Sequence, residues 1–430
     1  MTDGSGNPIY LVGFHTWASV QDGGPTDPPA AFDWDEYLQA CVDYGCNFVK
    51  LWSCETSRGW SDITDIWFTP PYYERTGPGL DNDGKAKFDL TQVNEEWLSR
   101  IERRTADCAR RGIYVCIQFF DGWNIENKGW SGDPWHYHWY ESANNINSID
   151  GDQDNDGQGT ETHYNNGSNV VIDYQEALIE AVIDRVNRFD NVFYEISNED
   201  TGGTQDNSWH NRLIDHIHTY EAGLPKQHLV MMTWQYPSGD NAYLDASNAD
   251  AICYGANDSG PLASPPTPGS STCNVFDTDH NGGLIYSYEW IWRSLCRGNG
   301  GAWYMDEWDG ASYLQVDRRN DSNCVLIREN LGYALTLVNL LSDMFGMTSQ
   351  GSLCSTGWCL AKNHATAGEY ICFQDGSGNF TLNLTTATGT LNIRWLRCSN
   401  GSTDTGTVSG GATRTLTPPW VGVVVAYVYH

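Results

Sequence analysis

Basic side chains are scarce in this sequence. Lysine occurs six times, and 24 lysines and arginines stand against 55 aspartates and glutamates, for a net charge of −31. A surface of that sign repels phosphate backbones and anionic headgroups, which excludes nucleic acid and membrane surfaces as partners. It also suits high salt, where like-charge repulsion is screened. Long apolar runs are missing, so no transmembrane helix is expected. The 13 cysteines contain no CxxC pair and no Cys/His cluster of zinc spacing. Their odd number leaves at least one thiol outside any intrachain pair. Cys354 and Cys359 flank a short stretch that a disulfide could close, with buried thiols as the other reading. No glycine-rich phosphate loop, Ser-His-Asp pattern or HExxH helix is present.

Aromatic residues are abundant, with 19 Trp and 23 Tyr. Core packing accounts for most of them, but aromatic faces also serve as platforms for the apolar faces of pyranose rings. Through the first 345 residues, short apolar runs alternate with helix-length amphipathic segments. Strands are expected at 10–16, 47–52, 113–119, 191–197, 228–233, 249–254, 272–277 and 301–305. Helices are expected at 34–44, 94–111, 174–188, 208–221, 288–297 and 323–342. Eight apolar strands with helical crossovers imply a parallel sheet covered on both faces, and a closed (β/α)8 TIM barrel rather than an open sheet. The tail differs: short β-type runs separated by Gly, Ser, Thr and Asn read as an antiparallel β-sandwich. The expected domains are 1–348, a barrel, and 349–430, a sandwich. Two long excursions, 54–92 and 121–172, follow strands 2 and 3 and are rich enough in Trp and Tyr to form ordered walls.

Barrel sites draw on residues at the C-terminal ends of several strands. Those ends offer His15 and Trp17; Lys50 and Trp52; Asp121 and Trp123; Asn198 and Glu199; Trp234; Asp277, Asp279 and His280; Asp306 and Glu307. Carboxylates, aromatics and histidines dominate. Glycoside hydrolysis needs two carboxyl groups about one bond, one to protonate the leaving oxygen and one to attack the anomeric carbon or activate water. The Asn198-Glu199 pair suits this chemistry, because the Asn can hold a sugar hydroxyl while the Glu acts as general acid/base.

Ser-Asn-Glu199 after a strand resembles the retaining glycoside hydrolases of clan A, a barrel superfamily that includes cellulases and mannanases. The segment from Asn191 to Glu199 is similar to an apiosidase-like branch of that clan, whose strand 4 reads NVxW before the acid/base residue. That branch also carries a small C-terminal sandwich labelled collagen-binding. The tail resembles it through WCLAKN, EYICFQDGSGNFTLNL and PPWVGVVVAYV, although nothing in these residues supports collagen binding. The resemblance implies a nucleophile at the end of strand 7, where the branch has a pattern like VLDGEP. Here the stretch is Val275-Phe-Asp-Thr-Asp-His280, so Asp279 stands where a Glu is expected, one methylene shorter. Glu307, in WYMDEW, is the alternative nucleophile, although the strand count places it on strand 8. Asp277 reads as a hydrogen-bonding neighbour, and His280 as an orienting or substrate-binding group or a packed loop histidine. His15, Trp17, Trp52, Asp121, Trp123, Asn198, Trp234, His280 and Asp306 are the expected substrate contacts.

Asp152-Gln-Asp154-Asn-Asp156-Gly157 has alternating Asp and a Gly at the sixth place, like the front half of a calcium loop. His163 stands at the twelfth place, where a Glu is usual; Glu161 or a backbone carbonyl could substitute. A structural calcium on Asp152, Asp154 and Asp156 is one reading and a solvated acidic turn the other. No cofactor is expected for catalysis. The sequence-based expectation is therefore a retaining glycoside hydrolase acting on a carbohydrate substrate, a plant or microbial poly- or oligosaccharide. A non-catalytic carbohydrate-binding barrel and a metal-dependent hydrolase are the alternatives. A polysaccharide substrate favours a secreted protein; no signal peptide is recognisable at Met1, and a cytoplasmic protein is the other reading.

Overall fold

The computed structural model describes the chain except residues 3, 4, 18, 61, 62, 127–131, 237, 256–259, 270, 271, 282–286, 307 and 309–316; at 63–65 only the backbone is described. The apolar runs form eight strands: β1 Leu11–His15, β2 Phe48–Leu51, β3 Tyr114–Asp121, β4 Val192–Asn198, β5 Val230–Thr233, β6 Ala251–Cys253, β7 Cys273–Asp277 and β8 Gly301–Met305. Each pairs in parallel with its sequence neighbour, and β1 pairs with β8, closing the barrel.

Helices follow every strand: α1 Trp34–Asp43, α2 Glu95–Ala109, α3 Ile172–Val186, α4 Thr204–Glu221, the short α5 Asn241–Asp245 and α6 Gly260–Ala263, α7 Glu289–Arg297 and α8 Ser322–Val338. Side-chain oxygens of Asp33, Asn94 and Asp321 accept first-turn N–H groups and fix where α1, α2 and α8 begin. Gly298, in the left-handed region, closes α7. Helix α4 starts one turn earlier than its apolar pattern predicts, because Gly202 and Gly203 turn the chain sharply after β4.

The excursion after β2 is built from strands rather than loop. Asp22–Gly24, Ile63–Thr69 and Arg58–Trp60 make a three-stranded sheet, and Tyr73–Leu80 pairs with Ala86–Val93. The tail forms a six-stranded antiparallel sheet in the order Thr348–Ser349, Cys359–Lys362, Glu369–Gln374, Val424–Tyr429, Thr390–Arg397, Thr403–Ser409. A ribbon of Phe380–Asn383 and Thr413–Leu416 shares its core, with Phe380 against Trp395. The other face of the sheet, through Leu360, Ile371, Phe373 and Tyr427, joins the barrel's core at α7 and α8. All thirteen cysteines are thiols, so the bridge considered between Cys354 and Cys359 is not made; the Cys359 sulfur lies 3.8 Å from that of Cys372.

Candidate active site

The lower barrel is an apolar plug. Phe48 stacks on Trp303 with centroids 3.9 Å apart, and Phe193 packs beside them. Gly13 is required here: a Cβ would lie 2.1 Å from the Phe48 carbonyl oxygen. Above the plug the interior turns ionic. Lys50 Nζ donates to Glu195 Oε1 at 2.9 Å and lies 4.0 Å from Asp277 Oδ2, and all three side chains are fully buried. Burial opposes the Lys50 charge, but Glu195 and Asp277 hold it protonated.

Asp277 ends β7, and its Oδ1 is 2.9 Å from His15 Nε2 at the end of β1. Burial disfavours its charge, yet His15 and Lys50 hold its carboxyl well below the usual range. Asp279 follows on the next turn, with its backbone N–H donating to Asp277 Oδ1 at 3.0 Å. Burial, then the negative charge of Asp277, push the Asp279 carboxyl up to about 7 against the pull of Lys50 and His15. Two neighbouring carboxyls are thus driven apart, one ionised and one poised to titrate. His280 is buried, and burial lowers it to about 3, so its ring is neutral. Neither ring nitrogen has a hydrogen-bond partner among the described residues.

Across the mouth, β4 ends in Asn198, Glu199 and Asp200. Asn198 is buried, and its Oδ1 has no hydrogen-bond partner among the described residues. Glu199 is half-buried with φ of +52°, in the left-handed region that a non-glycine residue occupies at a cost of about 1–3 kcal/mol. Asp200 holds this strained end in place. Its carboxylate accepts from Ser197 Oγ at 3.1 Å, is 2.7 Å from His210 Nε2 and hydrogen-bonds His163 Nδ1, and its backbone N–H donates to Gln235 Oε1 at 2.8 Å. Burial raises Asp200, but the two histidines outweigh it and hold the carboxyl well below the usual range. The Asp200 backbone sits directly on Gly122, where a Cβ would approach Asp200 Cα to 2.4 Å.

Tryptophans line one side. Trp60 stacks on Trp123 at 5.4 Å, Trp17 lies 6.2 Å from Trp60 and 6.4 Å from Trp52, and Trp17 and Trp123 are half-buried. Trp234 is buried at the end of β5. Asp121, expected among the substrate contacts, is fully buried: its oxygens accept from the Trp123 N–H at 3.2 Å and Asn124 Nδ2 at 2.6 Å, so it shapes the turn that presents Trp123. Burial raises it to about 7 against that backbone bond. Glu55 caps the same strand end, accepting the Asp121 N–H at 2.6 Å.

Asp306 is not brought to the mouth. Its carboxylate takes a buried two-pronged bond from Arg328 of α8, Nε at 2.6 Å and Nη2 at 3.0 Å, because β8 turns Trp303 inward and Tyr304 and Asp306 toward the helices. Glu307 lies outside the described residues. In the acidic loop, Asp152, Asp154 and Glu161 bring one oxygen each within 4.8 Å of one another. Glu55, Trp60, His163, Asp200, His210 and Gln235 were not signalled by any motif. Only the placement of Asp200 directly after Asn-Glu marks a strand-end carboxylate.

Fold and site together define a (β/α)8-barrel protein with an acidic, tryptophan-walled mouth. No family model matches the sequence, and no curated protein sequence matches it significantly. Among solved structures it is similar to a glycoside hydrolase family 5 protein from Bacteroides vulgatus, with a TM-score of 0.62, 12% identity, and coverage of 99% of this chain and 90% of that one. It is also similar to a protein described as a glycoside hydrolase, with a TM-score of 0.61, 12% identity, and coverage of 99% and 94%. At that identity the likeness establishes the fold.

Proposed function

We propose that this protein is a glycoside hydrolase that cleaves a plant or microbial poly- or oligosaccharide with retention, using Glu199 as acid/base and Asp279 as nucleophile. The observation that carries the reading is the pairing of two strand ends across one mouth. Asn198 and the strained Glu199 stand on β4, and Asp277, Asp279 and His280 stand on β7, with β5 and β6 between them. Glu199 protonates the departing oxygen while ionised Asp279 attacks the anomeric carbon; Glu199 then takes a proton from the water that releases the sugar. Asn198 accepts a hydroxyl of the reacting ring, and Trp17 and Trp123 offer faces for its neighbours. A substrate complex should show the two carboxyl groups about 5–5.5 Å apart. The likeness to clan A in Ser-Asn-Glu199, and to the apiosidase-like branch in the tail, agrees with this reading. A metal-dependent hydrolase is less well supported, since among the described residues no three metal-ligating side chains gather at the mouth.

The test is a screen across plant and microbial polysaccharides, with the anomeric form of the first product followed by NMR. On any substrate cleaved, Glu199→Gln should slow turnover by about 10²–10⁴-fold and recover with azide, while Asp279→Asn should abolish it. Full activity of Glu199→Gln would overturn the assignment. Full activity of Asp279→Asn with loss in Glu307→Gln would move the nucleophile to Glu307. Binding without turnover across the screen would make the protein a carbohydrate-binding barrel instead.

A further inference from the structure

The stretch from Asp152 to Glu161 gathers carboxylate oxygens on a turn in which Asp152 accepts the Asp156 and Gly157 N–H groups at 3.0 and 2.9 Å and Asp154 accepts the Asp156 N–H at 3.1 Å. One carboxylate oxygen from each of Asp152, Asp154 and Glu161 lies within 4.8 Å of the other two. Among the described residues no Lys, Arg or His forms an ion pair with any of the three. Asp152 and Asp154 sit on the rim, but Glu161 is only 6% exposed and its Oε2 has no hydrogen-bond partner. A buried carboxylate oxygen beside two further carboxylates is unfavourable unless it is protonated or a cation shares the space. The backbone is already bent for one: Asn155 has φ of +61° and Gly157 of +89°, the sharp turn that places side chains at alternate positions on one side.

We propose that Asp152, Asp154 and Glu161 form a calcium site. All three donors are carboxylate oxygens, the ligand type of a hard cation. Calcium takes 6–8 oxygens and tolerates irregular geometry, so backbone carbonyls and water complete the shell. The ligand set differs from the sequence expectation. Asp156, whose oxygens accept from Gln158 N at 3.0 Å and Gln158 Nε2 at 2.7 Å, lies outside the cluster, and Glu161, at the tenth position of the loop, joins Asp152 and Asp154 instead.

The site has a structural consequence. Glu161 belongs to the turn Thr160–His163. His163, two residues on, hydrogen-bonds Asp200, the brace beside Glu199, and its ring stacks on Trp209 at 4.1 Å. The bound ion therefore pins the turn that supports the end of β4. This second part rests on the reading of Glu199 as a functional residue; the metal site itself does not.

The experiment uses the full chain, stripped with EDTA and dialysed, and titrated with CaCl2 by calorimetry and thermal melting without substrate. One calcium per chain should bind, and the melting temperature should rise by a few degrees at saturating calcium. Mg2+ at the same concentration should do neither, since it demands a tighter octahedral shell. Glu161→Gln and Asp154→Asn should each weaken calcium binding at least tenfold, while Asp173→Asn, an exposed carboxylate on α3, should not. Absence of heat and of any melting shift in the unaltered protein would overturn the site. Undiminished affinity in both ligand variants would overturn the ligand assignment. If either variant fails to fold, the other decides. Since binding is read without substrate, a protein that binds calcium yet cleaves nothing would sink the glycosidase reading and leave the metal site standing.

Discussion

Asp279 and Asp277 are two residues apart, and their environments separate them by more than any difference in chemistry could. His15 and Lys50 keep Asp277 ionised, while burial and the charge of Asp277 lift Asp279 to about 7. The direction of the pH effect follows. If Asp279 is the nucleophile, only its carboxylate reacts, so the reactive form is lost as pH falls through about 7. The kcat/KM profile should therefore have its acid limb near pH 7, falling about tenfold per pH unit below it, rather than near pH 4. His15→Asn removes a side chain that holds Asp279 down and should move that limb upward. A limb that stays near pH 4 in the unaltered enzyme would exclude Asp279 as the group that must ionise. Glu199 is legible in the sequence, because Asn-Glu at the end of an apolar run is a local pattern. Its positive φ is not, because the packing of Asp200 on Gly122 and Gln235 imposes it.

At the scale of elements, the eight strands and six long helices follow from periodicity and capping residues, both of which are local. The strands of the excursion after β2 escape that reading: Arg58–Trp60 is short and Tyr73–Leu80 is broken by Gly77, Pro78 and Gly79, although Ala86, Phe88 and Leu90 alternate with polar residues in its partner. Asp306 shows what strand parity decides. One residue earlier or later it would face the mouth; where it stands, it ties β8 to α8 through Arg328, and both side chains are fully buried. Asp306→Ala leaves that guanidinium buried without its anion and should cost about 3–5 kcal/mol in urea unfolding. Joint replacement of Asp306 and Arg328 by Met should recover most of it. A loss under about 1 kcal/mol in the single variant would mean that the pair does not join strand to helix.

Over the whole molecule, charge and core pull in opposite directions. The barrel, its helices and the inner face of the tail sheet share one apolar core, while the −31 net charge repels itself across the surface. Repulsion between exposed charges weakens as the screening length falls from about 10 Å at 0.1 M salt to about 3 Å at 1 M. The melting temperature should therefore rise between 10 mM and 1 M NaCl, and scanning calorimetry would show it. A flat or falling dependence would mean that the acidic residues are already neutralised locally, and the adaptation to high salt would be withdrawn.

The amino-acid sequence by itself determined the order of strands and helices, the barrel class, the change to β structure in the tail, and the strand ends where chemistry could sit. Each of these depends on residues a few positions apart. Only the tertiary structure decided which carboxyls face one another, which are ionised, and which are tied up in ion pairs. His15 meets Asp277 across 262 positions, Lys50 meets Glu195 across 145, and His163 meets Asp200 across 37. Charge state depends on the neighbours and the dielectric that closure of the barrel brings together, and no local pattern contains either.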